Sequence, residues 1–326
     1  MEEPVEIDAF DIDHIRQKCR DAVARHADAQ WFFNLTCASK IMGFGALEVA
    51  KECHASSWYL DTITRRVVTL SGQSPESDLF KLDVAEYLAG YGRGCKAADA
   101  PDERLVTFAK QLARYPAEAM KFRDSLRNSH FSQVRRGQTK SAKLTSQAGF
   151  IPAICRQAQA AGLVKDFRQT SVSHEITVEG NGLYSFLDGK WLEVFVYSAA
   201  CGAGCFDDKR LDVEIPGITG ANNNLDLAVT HAASLIIAEC KTEKELEPEH
   251  LNKLSAIANL VGGNYVGRMF VTSKVVNQHD KSQVQSFNDF CGQAQARRVV
   301  VVTGDKLKSL AQIFQQEVKK PTYPRE

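Results

Sequence analysis

The string Leu235-Ile236-Ile237-Ala238-Glu239-Cys240-Lys241-Thr242 is an apolar run that ends in an acid and a base two residues apart. In a strand, residues two apart share a face, so Glu239 and Lys241 project together while Cys240 turns into the opposite layer. Such a pair suits phosphodiester hydrolysis, which needs charge neutralised on the phosphoryl oxygens and a water brought close to its deprotonated form. One or two Mg²⁺ or Mn²⁺ ions supply both, and these hard cations take oxygen ligands, chiefly Asp and Glu. Glu239 is then a candidate metal ligand and Lys241 the group that orients water and stabilises developing negative charge. The backbone carbonyl of Cys240 is a further candidate oxygen for the metal.

Alone, a Glu-x-Lys is weak, because with 40 acidic and 40 basic residues chance supplies roughly one. The bland alternative is a partly buried ion pair near a sheet edge. Two other acids sharpen the reading. Asp226 stands between Leu225 and Leu227 in a second strand-like run that reaches Glu239 through a short turn near His231. Glu193 lies in Trp191-Leu192-Glu193-Val194-Phe195-Val196-Tyr197, a helical pattern too apolar for a surface element. Asp226, Glu239, Lys241 and Glu193 are therefore the candidate catalytic set, with Asp226, Glu239 and Glu193 as metal ligands. His231 reads as a cap of the hairpin turn. Cys201 and Cys205 have a zinc half-site spacing but no second pair follows, so a glycine-rich helix end is expected there. No Ser/His/Asp or Cys/His arrangement and no GxxxxGK[ST] is evident.

The chain around these residues has 326 positions, long enough for two or three domains. Apolar residues make up 44% and charged residues 25%, the balance of a globular protein. No apolar run is long enough to span a membrane, the first residues are Met1-Glu2-Glu3-Pro4, and the nine cysteines form no CxxC doublet. A cytoplasmic protein without a membrane partner is expected. Net charge is zero, so nucleic-acid contact must be local. The local candidate is Lys121 to Lys143, where seven Lys or Arg residues face one acid, Asp124; its bland reading is a solvated helix and loop.

The expected elements form an α/β chain. Trp31 to Leu35 reads as a strand, Thr36 to Ser39 as a loop, Lys40 to Cys53 as a helix, and Ser57 to Leu60 and Arg65 to Leu70 as strands. Helix is expected at Leu79 to Leu88 and over most of Glu103 to Leu163. Two short runs, Ser173 to Val178 and Leu183 to Leu187, flank the turn signal Glu179-Gly180-Asn181-Gly182 and suggest a winged-helix-like module. Beyond Asp188 the pattern predicts a helix at Lys190 to Ala200, then strands at Leu211 to Ile215, Leu225 to His231 and Leu235 to Lys241. A helix at Pro248 to Val261, a strand at Arg268 to Thr272, a helix near Val284 to Gln295, a strand at Arg297 to Thr303 and a helix at Asp305 to Val318 follow.

Leu187 to Tyr197, Asn224-Leu225-Asp226, Ala238 to Thr242, Asn252-Lys253-Leu254 and Gly262-Gly263 resemble the PD-(D/E)XK nuclease half of the CRISPR ancillary nucleases that join it to a CARF sensor domain. Asn34-Leu35-Thr36-Cys37-Ala38-Ser39-Lys40-Ile41-Met42, with Tyr59 to Thr62 after it, resembles the ligand loop of that sensor. The resemblance implies a partial, Rossmann-like CARF domain over 1–77, a helical, winged-helix-like connector over 78–185 and a restriction-endonuclease-like domain over 186–326. It also implies a homodimeric nuclease that cuts DNA or RNA with Mn²⁺ or Mg²⁺ under control of a cyclic oligoadenylate. Thr36, Ser39 and Lys40 are the implied ligand-loop residues. Cys37-Ala38-Ser39 stands where the family has Gly-Gly-Thr, and only a short segment precedes the first strand, so the sensor reads as truncated. The other reading is a sensing or messenger-sequestering module that is catalytically weak and acts through a partner.

Overall fold

The structure, a computed structural model, describes residues 5–36, 38–61, 66–73, 81–128, 139–144, 150–169, 174–179, 184–216, 223–232, 234–243 and 245–322. Cys37, the Gly180-Asn181-Gly182 turn and the side chains of the basic stretch beyond Arg127 lie outside that description. The chain divides into two compact units, Met1–Phe80 and Lys81–Glu326.

The first unit runs α1 (Ile12–Arg25), β1 (Phe32–Asn34), α2 (Lys40–Glu52), β2 (Ser56–Asp61) and β3 (Arg66–Ser71). Asp11 starts α1 by accepting the N–H groups of Asp13 and His14. β1 lies parallel to β2 across α2, and β3 returns antiparallel. This is the βα crossover that the strand, loop and helix signals predict. α1 packs on α2 where Gly45 lets the helices close; a Cβ there would stand 2.9 Å from Ile15 Cγ2. Arg20 clamps Glu52 through two hydrogen bonds of 2.9 and 2.8 Å on the outside of the pair.

The second unit begins with α3 (Val84–Ala89), β4 (Lys96–Ala98), α4 (Glu103–Arg114), α5 (Pro116–Asn128), β5 (Thr139–Leu144), α6 (Phe150–Ala160), β6 (Asp166–Gln169) and β7 (His174–Glu179). After a π-helical turn at Phe186–Lys190 come α7 (Trp191–Ala203), β8 (Asp208–Ile215), β9 (Asn223–His231), β10 (Ser234–Lys241) and α8 (Pro248–Leu260). The unit closes with β11 (Gly267–Thr272), α9 (Lys281–Ala296), β12 (Val299–Val302), a 3₁₀ turn and α10 (Leu310–Lys319). Its main sheet has the order β12-β11-β10-β9-β8-β4, antiparallel from β10 to β4 and parallel from β10 to β12.

β10 shows how the sheet builds two cores. Ile236, Ala238 and Cys240 enter a layer with Trp191, Leu192 and Val196 of α7, while Leu235 and Ile237 enter the opposite layer with Leu251, Leu254 and Ile257 of α8. Both faces are apolar, so the run reads continuous rather than alternating, as expected of a strand covered on both sides. Each fully buried Leu or Ile contributes about 1.5–3 kcal/mol over its exposed state.

The stretch from Glu103 to Leu163 carries α4, α5 and α6 as expected, with β5 set among them and paired with β7. Three expectations change. The expected Leu183 to Leu187 strand is not found over its described residues: Tyr184 and Ser185 are helical and the π-helical turn follows. Phe186 and Leu187 are both buried on one side, with the Phe186 ring 6.2 Å from that of Phe108, a demand an alternating strand cannot meet. The two-stranded wing is therefore replaced by a three-stranded sheet, β5-β7-β6. Finally, the segment expected as a connector shares the main core: Phe108, Leu112, Phe122 and Ile154 pack with Trp191 and Phe314, and β4 edges the main sheet.

Candidate active site

Three acids stand in one row across the sheet. The β8–β9 register pairs Leu211 with Leu227 and Val213 with Leu225, which sets Asp212 opposite Asp226. The β9–β10 register ends at Ala238 with Leu227, and its next step sets Asp226 beside Glu239. Asp212 has a left-handed backbone, φ 53°, an uncommon conformation for a residue that bears a Cβ. Asp226 stays in the plane of the sheet, where its Oδ2 accepts the N–H of Cys240 at 2.6 Å.

Glu239 is buried, with 1% of its side chain exposed, and is clamped by two lysines. Lys241 Nζ lies 2.7 Å from Oε1, and Lys253 Nζ, from α8, lies 3.2 Å from both oxygens. The Glu239 and Lys241 side chains thus meet on one face as their spacing predicts. Burial works to discharge Lys241, but the charge and hydrogen bond of Glu239 outweigh it, so its ammonium is held above the ordinary lysine value.

Asp226 and Glu193 show the opposite imbalance. Burial, and then the Glu239 charge, raise Asp226 to about 7 against the Cys240 N–H and both lysines. Burial, and then the Asp226 charge, raise Glu193 to about 8 against Lys190. Lys190 itself lies 2.6 Å from Asp212 and 3.9 Å from Glu193. Asn224 holds the other Asp212 oxygen at 2.9 Å. Burial pushes the Cys240 thiol well above its ordinary value, so it packs rather than reacts.

Glu193, Lys241 and Thr242 open into a cavity of about 290 Å³, together with Arg127, Asp188 and Lys190. Arg127 grips Asp188 at 2.6 and 3.2 Å on its rim. Beneath, the buried Arg123 of α5 donates to the Thr242 carbonyl and, at 3.1 Å, to Thr242 Oγ1. It fixes the chain where β10 ends. Gly189 approaches from the other side, and a Cβ there would stand 2.7 Å from Thr242 Oγ1.

Of the sequence candidates, Glu193, Asp226, Glu239, Lys241 and Cys240 come together here. Sequence reasoning missed Asp212 and gave no site role to Lys253, noted only in the Asn252-Lys253-Leu254 match, or to Arg123, counted only in the basic stretch. Asp212, flanked by Leu211 and Val213, carries the same signal as Asp226, an acid between apolar strand residues. The contacts of Lys253 and Arg123 depend on how α8 and α5 pack, which no local spacing states. His231 sits at the hairpin end, its Nδ1 2.6 Å from the Cys205 carbonyl, while Asp207 takes the Ala232 N–H of the turn at 2.7 Å. α7 ends in left-handed Gly204, the helix end that the Cys201 and Cys205 region suggests.

In the first unit, Thr36, Ser39 and Lys40 occupy the loop between β1 and α2. Thr36 Oγ1 donates to Asn34 Oδ1 at 2.6 Å and accepts the Leu60 N–H at 2.9 Å. Ser39 caps α2 by accepting the Met42 N–H at 3.2 Å. Both hydroxyls are engaged by the protein, Ser39 Oγ also donating to the Ala9 carbonyl at 3.4 Å, whereas Lys40 is exposed at the first helical position.

The donor set fits a hard divalent cation in part. Asp226 and Glu193 are half-buried carboxylates, and burial and then the Asp226 charge raise Glu193; a cation relieves that strain, and Mg²⁺ commonly takes one or two carboxylates and completes its shell with water or phosphate. Among the described residues no three His, Cys, Asp or Glu side chains form a group that could hold an ion by themselves.

No helix among the described residues is long and apolar enough to cross a membrane. The fold is that of protein VC1899 from Vibrio cholerae, with a TM-score of 0.75, 18% identity, and 96% of this chain and 82% of that one covered. It is also that of Can2 from Sulfobacillus thermosulfidooxidans in complex with cyclic tetra-adenylate, with a TM-score of 0.70, 17% identity and coverage of 97% and 82%. No curated protein matches the sequence. Residues 182–320, which hold Glu193, Asp226, Glu239, Lys241 and Lys253, match the family described as Card1-like, endonuclease domain. The resemblance to the CRISPR ancillary nucleases is borne out by that match over residues 182–320.

Proposed function

We propose that the chain is a metal-dependent endonuclease of the PD-(D/E)XK kind that cuts DNA or RNA in CRISPR-type antiviral defence. It acts in the cytoplasm as a homodimer switched by a cyclic oligoadenylate. The observation that carries the reading is the row of acids through Asp226 and Glu239, with Lys241 and Glu193 beside it. Asp226, Glu193, Glu239 and the Cys240 carbonyl would hold Mn²⁺ or Mg²⁺, which when bound supplies charge neutralisation on the phosphoryl oxygens.

The protein groups do the rest. Lys241 carries a full ammonium charge because Glu239 stabilises it, and it offers protons at Nζ to the oxygen on which charge develops. Lys190 and Arg127, on the cavity wall, are placed to hold phosphates next to the one being cut. Asp226 is fixed by the Cys240 N–H, so its orientation costs no rearrangement when substrate enters.

Can2, whose fold the chain shares, is bound to cyclic tetra-adenylate. We carry that ligand class to the loop at Thr36, Ser39 and Lys40, where Lys40 supplies the cation for a phosphate and the start of α2 the N–H groups.

The test is incubation with plasmid and labelled single strands in Mn²⁺ or Mg²⁺, with and without cyclic tetra-adenylate. Cleavage should fall about 10²–10³-fold in Lys241→Ala and Asp226→Asn. Cleavage that survives both substitutions unchanged, or no cleavage under any condition, overturns the reading.

A further inference from the structure

A second and larger cavity, about 600 Å³, lies in the second unit among Met120, Lys121, Asp124, Glu245, Lys274 and Gln283. None of these residues belongs to the catalytic set. The cavity nevertheless adjoins the catalytic cleft by two routes along the chain. On α5, Met120 and Asp124 line the large cavity and Arg127 lines the small one, and positions 120, 124 and 127 fall on a single helix face. Three residues of helix advance about 4.5 Å, so the two walls meet within one turn. Where β10 ends, Thr242 and Glu243 line the small cavity and Glu245 the large one. Arg123, through Thr242, bolts these two boundaries together.

The lining is mixed in a way that suits a nucleobase. Met120, Ala117 and Val275 offer apolar walls, and the Met sulfur adapts to a flat π-face. Ser282 and Ser286, from the first turns of α9, present hydroxyl groups to a base edge, and Gln283, whose amide N–H₂ already donates to Asp280 at 2.9 Å, presents its carbonyl oxygen. Lys121 and Lys274 form no ion pair with any described residue. Asp124 faces Arg123 at 2.9 Å, so its charge is already answered; Glu245 is left to accept from an exocyclic amino group. A volume of about 600 Å³ falls within the range of small-molecule sites.

We infer that this cavity takes one unpaired nucleobase of the substrate strand, from the nucleotide beside the scissile phosphate, with Lys121 and Lys274 on its backbone. The inference rests on the nuclease reading and deepens it by assigning a separate place in the fold to a splayed base next to the cleft.

Crosslinking in EDTA tests it without any need for cleavage. Single strands carrying one 5-iodo-pyrimidine at successive positions are irradiated with the intact chain, and the crosslinked peptides are sequenced. Crosslinks are expected in the segments that carry Met120 and Lys121 and Val275 to Ser286. Ser286→Trp, at an exposed position of α9, fills the cavity and should abolish these crosslinks. It should also weaken strand binding about tenfold, the worth of one good base contact. Gln283→Ala, also exposed, should lower affinity for amino-bearing bases and guards against misfolding of the larger variant. Crosslinks confined to other surfaces, with both variants binding as the native chain does, overturn the inference and leave the nuclease reading standing. No crosslink anywhere counts against both, and cleavage assays then separate them.

Discussion

Lys253 of α8 holds both carboxylate oxygens of Glu239 at 3.2 Å, and Lys241 holds Oε1 at 2.7 Å, so a fully buried acid carries two cations. Removing one leaves a buried acid short of donors. Because the Lys253 side chain is 44% exposed, part of its contribution is screened. Lys253→Met is expected to cost about 1–2 kcal/mol, read as a lowered midpoint in urea at unchanged slope. Lys253→Arg should recover part of that loss. A midpoint equal to the native one would show that Lys241 alone satisfies Glu239.

Arg123 has a different task, since its guanidinium is buried and ties α5 to the Thr242 carbonyl and hydroxyl. Arg123→Ala opens a cavity and strands a buried carbonyl, and about 3–5 kcal/mol of stability should be lost. Lysine at the same place should not rescue it, because a single ammonium cannot reproduce the planar fork. Circular dichroism melts of the three proteins decide the matter.

Asp226 and Glu193 are raised to about 7 and about 8 in the folded chain. Between their ordinary values, near pH 4, and about pH 8, the folded state binds more protons than the unfolded one. Stability without metal should therefore be highest at the acid end of this window and fall as pH rises through it. Asp226→Asn should flatten the slope, and Mn²⁺ should restore stability at the alkaline end. Denaturant titrations in EDTA from pH 5 to 8.5 test this; stability that rises across the range refutes the electrostatic picture of the site.

Gly189 and Thr242 touch so closely that a Cβ at 189 would stand 2.7 Å from Thr242 Oγ1. Gly189→Ala is expected to cost about 1–3 kcal/mol through overpacking and to lower cleavage by displacing the chain next to Lys241. Combining it with Thr242→Ser, which keeps the hydroxyl but frees space, should restore less than half of the loss, since the clash is with the oxygen itself. Full recovery would place the strain on the methyl group instead.

At the loop after β1, the hydroxyl of Thr36 accepts the Leu60 N–H and Lys40 stands exposed. The two residues should therefore separate in calorimetry with cyclic tetra-adenylate. Lys40→Ala should weaken binding about tenfold or more with little change in thermal stability, whereas Thr36→Val should lower stability by about 1–2 kcal/mol. Equal binding by Lys40→Ala and the native chain removes this lysine from the ligand site.

The linear order of residues determined that β10 is a strand with both faces apolar and that Glu239 and Lys241 share a side, because a period of two is local geometry. It likewise determined the βα crossover around Lys40 and marked Asp226 as an acid misplaced among leucines. What tertiary structure decided concerns partners distant in the chain. Strand register set Asp212 beside Asp226, helix packing brought Lys253 to Glu239 and Arg123 to Thr242, and a shared core turned Phe186 and Leu187 from an expected strand into a helical turn. Burial and charge then act on whatever has been assembled, raising Asp226 and Glu193 while clamping Glu239, and no spacing rule carries that information.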